Sequence, residues 1–154
     1  MNDRPYVSVI MPCRNEARYI GPVLEAILQQ KEPPGGFEIL VADGLSSDGT
    51  RDRVLAMAQR DHRIRLVDNP DRFTPHGLNA AIAAARGDII VRMDAHTAYA
   101  PDYVVRCVET LLARKADNVG GPWVARGKGY LSRAIAAASQ SSFAGGGARG
   151  HRLH

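Results

Sequence analysis

Asp94 and His96 stand two residues apart at the end of an apolar run that begins near Ile89. Side chains at positions i and i+2 of an extended chain point to the same side, so this carboxylate and this imidazole could hold one ligand. An oxygen donor paired with a nitrogen donor suits Mn²⁺-like or Zn²⁺-like ions better than Mg²⁺ alone. An aspartate at a strand end also commonly forms a turn or caps a helix, so the pair needs support from elsewhere in the chain.

Apolar runs and amphipathic stretches alternate along the chain. The runs predict strands over 6–12, 37–43, 63–68 and 88–94. The amphipathic stretches predict a helix capped by Asn15 that reaches Leu28, and further helices over 50–60, 75–86, 101–116 and 130–142. Residues 118–125 fit either a further strand or an extended loop. This alternation predicts an α/β fold of the Rossmann-like type, with a mostly parallel sheet and helices on both faces.

Polar clusters follow three of the predicted strands. Cys13 to Glu16 follow the first strand, Asp43 to Thr50 follow the second, and Asp94 to His96 end the fourth. Ligands of parallel sheets bind outside the carboxyl ends of the strands, near a point where the strand order reverses. We therefore expect the three clusters to share one rim and to form one site, while Ser46 and Asp48 cap the following helix.

Common motifs for phosphate binding and for acyl transfer are not found at the positions where such sites need them. No G-x-G-x-x-G follows the first strand, and the chain contains neither G-x-x-x-x-G-K-[ST] nor G-x-S-x-G. A phosphate-bearing ligand would therefore need a cation rather than a glycine-rich cradle. Asp94 and His96 offer a place for that cation.

The composition is that of a globular domain. The 154 residues are 45% hydrophobic and 23% charged, without an apolar run long enough to span a bilayer or an apolar stretch typical of a signal peptide near Met1. This favours a cytoplasmic location. Cys13 and Cys107 make no disulfide framework, and their apolar neighbours predict buried free thiols.

The positive charge is concentrated after residue 117. All 16 acidic residues precede 118, whereas the last 37 residues contain five basic ones: Arg126, Lys128, Arg133, Arg149 and Arg152. A basic segment of this kind suits a phosphorylated ligand or the anionic inner face of a membrane. The segment lacks interleaved aromatic residues, so we expect no nucleic-acid partner.

The ordered motifs carry a resemblance to a known family. The segments V-S-V-I-M-P-C-R-N-E at 7–16, D-G-L-S-S-D-G-T at 43–50, R-G-D at 86–88 and D-A-H at 94–96 resemble those of family 2 glycosyltransferases, which have the GT-A fold. The resemblance covers residues 6–125. The D-A-H form and V-G-G-P at 119–122 are similar to the bacterial exopolysaccharide, or succinoglycan-type, branch.

The resemblance implies an inverting transfer of sugar from a nucleotide-sugar, most often a UDP-sugar, to a saccharide or lipid-linked acceptor. It also implies a divalent metal, Mn²⁺ or Mg²⁺, held by Asp94 and His96, although the family usually has Asp rather than His at the second of these positions. In the family pattern, Asp43 accepts a hydrogen bond from the uracil ring. The other implied nucleotide-binding residues are Pro12, Arg14, Glu16, Asn79 and Asp94.

The family's general base lies in an acidic residue well after the D-x-D-type motif. The acids after His96 are Asp102, Glu109 and Asp117, and all three fall on or beside a predicted helix. We therefore expect residues 1–154 to be a single GT-A donor-binding domain that is incomplete at its C-terminus and self-associates through exposed apolar surface. The alternatives are a module that binds UDP or a UDP-sugar without turnover, and a pyrophosphorylase-like nucleotidyltransferase.

Overall fold

The strands and helices follow the predicted alternation closely. A computed structural model describes residues 4–121, 125 and 129–140. The strands are β1 (Val7–Cys13), β2 (Phe37–Asp43), β3 (Ile64–Asp68) and β4 (Ile89–Arg92). The helices are α1 (Ile20–Leu28), α2 (Thr50–Arg60), α3 (Thr74–Ala84), α4 (Tyr103–Arg114) and α5 (Tyr130–Gln140).

All four strands are parallel and lie in the order β3-β2-β1-β4. The chain therefore builds outward from β1 to β3 and then returns to place β4 on the other side of β1. Cys13, Asp43 and Asp68 are in register at the carboxyl edge of their strands. The strand order reverses between β1 and β4, which is where a sheet of this type binds its ligand.

Helices cover both faces of the sheet, as predicted. Alternate residues of β1 and β2 point to opposite faces, so Val9 and Ile39 join a core with α1, α2 and α4. Ile10 and Leu40 point the other way and pack with Ala81 of α3. The central strands are apolar on both faces because both faces are buried.

A buried carboxylate ties the sheet to the end of α3. Glu38 is 2% exposed. It accepts hydrogen bonds from the Ser8 hydroxyl, the Arg86 backbone N–H and the Arg65 guanidinium, each at 2.8 Å. Burial raises the pKa of Glu38, but these hydrogen bonds and the nearby arginine outweigh burial and lower it below its usual value.

Replacing Glu38 with Gln should destabilise the fold by about 1–3 kcal/mol at pH 7, because Gln removes the charge that Arg65 pairs with. A lowered folded pKa means that this stability is present above about pH 4.5 and is lost as the pH falls through the folded pKa. The difference between wild type and Glu38→Gln in urea unfolding should therefore shrink between pH 6 and pH 3. Glu25→Gln, an exposed change on α1, is the control; an equal loss in both variants would contradict the account.

Two local predictions are wrong, for physical reasons. Asn15 does not cap α1, because it has a left-handed backbone (φ 55°) and α1 begins only after Tyr19. Gly87 directly follows the helix predicted over 75–86, which predicts it at the C′ position of that helix, but α3 ends at Ala84 with an extended Ala85. The small size of Gly87 serves close packing instead, since a Cβ at this position would lie 2.5 Å from the Ser8 backbone nitrogen.

The chain divides into two compact units, Met1–Lys115 and Ala116–His154. In the second unit, α5 exposes Tyr130, Leu131 and Ile135 and buries Ala136. Residues 118–121 form no strand, and the rest of the predicted strand or loop over 118–125 lies outside the described residues apart from residue 125. Within the described residues, no helix combines the length and apolar character needed to cross a membrane.

Candidate functional site

The loop after β1 is fastened to the loop after β2. The backbone N–H groups of Asn15, Glu16 and Ala17 donate to the side chains of Ser46, Thr50 and Asp48, at 2.8–3.0 Å. Two predicted polar clusters therefore meet at one edge of the sheet. Asp48 also accepts a hydrogen bond from the backbone N–H of Thr50, the first residue of α2, although the N-cap position itself is occupied by Gly49. The predicted capping by Ser46 is wrong, since its hydroxyl oxygen accepts a hydrogen bond from the backbone N–H of Asn15 instead.

Asp43 lies at the carboxyl end of β2 and is fully buried. Both of its oxygens are engaged within the protein: Ser46 donates its backbone N–H to Oδ2 at 3.1 Å and its hydroxyl to Oδ1. The Arg51 guanidinium lies 3.6 Å from Oδ2. Asp43 thus organises the β2–α2 loop, and a contact with a uracil ring stays a prediction.

A cleft of about 270 Å³ opens at the carboxyl ends of β1, β3 and β4. It contains five of the predicted site residues, namely Pro12, Arg14, Glu16, Asp94 and His96. Asp43 and Asn79 do not line it; Asn79 is exposed on α3. The remaining lining residues are Cys13, Asn69, Arg72, Thr74 and Arg92.

Asp94 and His96 reach the cleft from a turn rather than from a strand. β4 ends at Arg92, and the backbone N–H of Thr97 donates to the Asp94 carbonyl at 3.2 Å. The backbone N–H of Asp94 donates to the Tyr99 hydroxyl at 2.7 Å, which fixes the turn. The predicted strand to residue 94 is therefore too long, although both side chains line one cleft.

Two side-chain contacts organise the polar groups in the cleft. Arg92 Nε lies 3.1 Å from Asp94 Oδ1, and His96 Nδ1 lies 3.4 Å from Glu16 Oε1. The second contact joins the loop after β1 to the turn after β4. Glu16, predicted for the nucleoside pocket, therefore also faces the imidazole that was predicted to hold a metal.

The donor set of Asp94 and His96 fits a divalent cation that takes most of its ligands from elsewhere. Among the described residues, no group of three or more His, Cys, Asp or Glu side chains is placed to hold a metal. Mg²⁺ is commonly bound by one or two carboxylates together with substrate phosphates and water. Carboxylate and imidazole donors are also compatible with Mn²⁺. The residues therefore fit an ion completed by a bound diphosphate.

Sequence reasoning missed the contribution of the loop after β3. Asn69 is 3% exposed, and its Oδ1 has no hydrogen-bond partner within the described part of the chain. Arg72 lines the cleft from a left-handed backbone (φ 65°). The rule that ligands bind beyond strand ends could have included Asn69 and Arg72, because they follow β3. Arg92 was hidden inside an apolar run.

Cys13 lines the cleft but is not a reactive thiol. Burial, and then the negative charges of Asp43, Glu16 and Asp48, raise its pKa to about 12. The thiol therefore stays protonated at pH 8, and the thiolate is the form that reacts. Iodoacetamide should therefore modify Cys13 slowly in the folded protein and rapidly in urea, as measured by peptide mass spectrometry. Fast native labelling at pH 8 would contradict this.

Cys107 is also a free thiol, but it is half-buried rather than buried as predicted.

The fold and the cleft define a class of protein. A parallel sheet has its polar cleft at the reversal of strand order, and that cleft combines arginines with a carboxylate–imidazole pair. Such an arrangement belongs to α/β domains that bind phosphorylated ligands at the carboxyl edge of the sheet. The chain belongs to glycosyl transferase family 2, whose family model matches residues 8–145.

Relatives agree with this assignment. The chain is 36% identical over 149 residues to the succinoglycan biosynthesis protein ExoA of Rhizobium meliloti, covering 94% of this chain and 44% of ExoA. Among solved structures, it resembles the mannosyltransferase PcManGT from Pyrobaculum calidifontis in complex with GDP-Man and Mn²⁺. That match has a TM-score of 0.67 and 35% identity, and it covers 80% of this chain and 36% of PcManGT.

A second solved structure is glucosyl-3-phosphoglycerate synthase from Mycobacterium tuberculosis in complex with Mn²⁺, UDP and glucosyl-3-phosphoglycerate. Its TM-score is 0.56 at 27% identity, with 70% of this chain and 40% of that chain covered. The fold is therefore GT-A, as predicted from the sequence. The chain spans less than half the length of each of these relatives.

Proposed function

We propose that this chain binds the nucleotide-sugar donor of a metal-assisted, inverting glycosyltransferase that acts in polysaccharide biosynthesis. The donor is a UDP-sugar, and the acceptor is a saccharide or a lipid-linked saccharide. The observation that carries the proposal is the meeting of Arg14, Glu16, Asp94 and His96 in one cleft beside the reversal of strand order. The succinoglycan relative supports the polysaccharide context.

Seven of the ten residues that line the cleft have a physical role in this proposal. Pro12 and Arg14 line the cleft at the end of β1, where a nucleoside would rest. Asp94 and His96 would hold Mn²⁺ or Mg²⁺, which supplies Lewis-acid stabilisation of the charge on the departing nucleoside diphosphate. Glu16 faces Nδ1 of His96 and so restrains the imidazole ring. Arg14, Arg72 and Arg92 add positive charge where the diphosphate would lie.

The second candidate is a nucleotide-binding module without turnover. It is favoured by the positions of Asp102 and Glu109, the two acidic residues between His96 and Lys115, because neither lines the cleft. An inverting transfer needs a base to accept the proton of the acceptor hydroxyl. Both candidates require the same donor site, so they differ only in whether the chain completes a reaction.

Calorimetry with the 154-residue chain separates these possibilities. UDP and GDP are each titrated with Mn²⁺ and with EDTA, and UDP-sugar hydrolysis and transfer are assayed in parallel. We expect UDP to bind more tightly than GDP and to gain affinity from Mn²⁺. UDP binding without turnover would support the module, and turnover would support the enzyme. Failure of UDP to bind in both buffers would overturn both candidates. Tighter binding of GDP than of UDP would overturn the proposal that the donor nucleotide carries uracil.

Two further parts of the proposal concern where and with what the chain acts. We place it in the cytoplasm, at the inner face of the membrane, with the basic residues after 117 facing anionic lipid. We also propose that copies of the chain self-associate. Sedimentation with anionic and neutral vesicles tests the first idea, and a clean monomer in size-exclusion chromatography would overturn the second.

A further inference from the structure

The cleft holds more arginines than carboxylates. Arg14, Arg72 and Arg92 line it together with Glu16 and Asp94. Among the described residues, neither Arg14 nor Arg72 forms an ion pair with a carboxylate, whereas Arg92 pairs with the aspartate proposed to bind metal. Arg92 thus differs from Arg14 and Arg72 in being paired with a carboxylate of the cleft.

Arg92 is the last residue of β4, so the strand fixes its backbone beside the turn that contains Asp94. Its Nε donates a hydrogen bond to Asp94 Oδ1 at 3.1 Å. The two side chains are 54% and 35% exposed, so the pair is open to solvent and to ligands in the cleft. Exposed pairs of this kind are weak and are readily exchanged for another partner.

The position of this pair creates a competition between two cations. A divalent ion that binds Asp94 Oδ1 would compete with the guanidinium for that oxygen, and the positive charge of Arg92 opposes the approach of the ion to the carboxylate. An unneutralised Asp94 would in turn repel the diphosphate of a donor. Arg92 therefore performs, without metal, the charge neutralisation that a bound cation would perform.

We propose that Arg92 is a built-in counter-ion of Asp94 that competes with the divalent metal and lets the cleft bind a nucleoside diphosphate before metal arrives. This inference rests on the proposed donor site. It adds an explanation of how strongly the affinity of that site for a nucleoside diphosphate depends on the metal. The arginine lowers the affinity of the empty site for metal and raises its metal-free affinity for the diphosphate. Metal binding then releases the guanidinium from Asp94 towards the diphosphate.

Arg92→Gln tests the proposal because Gln keeps a polar side chain and removes the charge. Titration of UDP in EDTA should show about tenfold weaker binding than wild type. With saturating Mn²⁺ the loss should be about threefold or less, because a metal-bound diphosphate carries less negative charge. Electron paramagnetic resonance of Mn²⁺ alone should show about threefold tighter binding to Arg92→Gln. Arg92→Lys, which retains the charge, should stay close to wild type in all three measurements.

Arg106→Gln is the matched control, because Arg106 of α4 forms a similar exposed pair with Asp102, which precedes that helix, and does not line the cleft. It should leave all three measurements unchanged. The inference is overturned if wild type binds UDP while Arg92→Gln leaves either metal-free UDP affinity or Mn²⁺ affinity unaltered. It is also overturned if Arg92→Lys behaves like Arg92→Gln. If wild type fails to bind UDP in both buffers, the proposed function itself fails.

Discussion

Asp94→Asn should abolish the gain in UDP affinity that Mn²⁺ provides, a loss of about 100-fold in the presence of metal. The amide keeps the shape of the side chain but removes the negative charge that makes a carboxylate the stronger ligand of a divalent cation. In EDTA the sign should reverse: Asp94→Asn should bind UDP as well as wild type or better, because a negative charge beside the diphosphate is gone. Calorimetric titration in the two buffers measures both effects.

Asp102→Asn is the appropriate control for this experiment. Asp102 also pairs with an arginine, at 2.6 Å, but it lies before α4 and does not line the cleft. It should retain the full effect of Mn²⁺. A variant at Asp94 that still gains affinity from Mn²⁺ would mean that the cation binds elsewhere, and the assignment of the metal site would be wrong.

Phe37→Ala should lower the free energy of unfolding by about 3–5 kcal/mol. Phe37 begins β2, is 2% exposed and belongs to the large core on the face covered by α1, α2 and α4. Its ring also lies 5.1 Å from the Arg63 guanidinium, a cation–π contact that Ala would remove. Urea unfolding followed by circular dichroism measures the loss.

Phe73→Ala makes the matching change at the surface. The ring of Phe73 is 70% exposed, so its removal leaves no cavity and should alter the unfolding free energy by about 0.5 kcal/mol or less. Similar losses in the two variants would show that the core is not where the structure places it.

The elements of the fold were predictable because their signals are local. The β-branched, apolar runs at Val7–Cys13 and Phe37–Asp43 are buried on both faces, and buried parallel strands have this composition. The predicted bounds of α2 agree with Thr50–Arg60 at both ends. The order of the strands could not be derived from periodicity, because it depends on contacts between distant residues.

Sequence reasoning about the site fell short where a side chain contacts residues that its local sequence pattern does not indicate. Asn15 has the type of a helix cap, yet its amide oxygen accepts from the backbone N–H of Ser47 across the loop after β2. For Asp43 the sequence did not indicate the hydrogen bonds from Ser46 to both of its oxygens, and its contact with a uracil ring stays a prediction. Arg92 stands in an apolar run and gains its importance only from the position of Asp94. Sequence spacing carries no record of these contacts.

A crystal structure of the chain with UDP and Mn²⁺ tests the central claim most directly. An anomalous difference map would locate the metal without reference to any assumed position. We predict a peak within coordination distance of the Asp94 carboxylate and both phosphates of UDP, with Arg92 no longer paired to Asp94. A metal bound away from Asp94, or UDP bound outside the cleft between β1 and β4, would contradict the account.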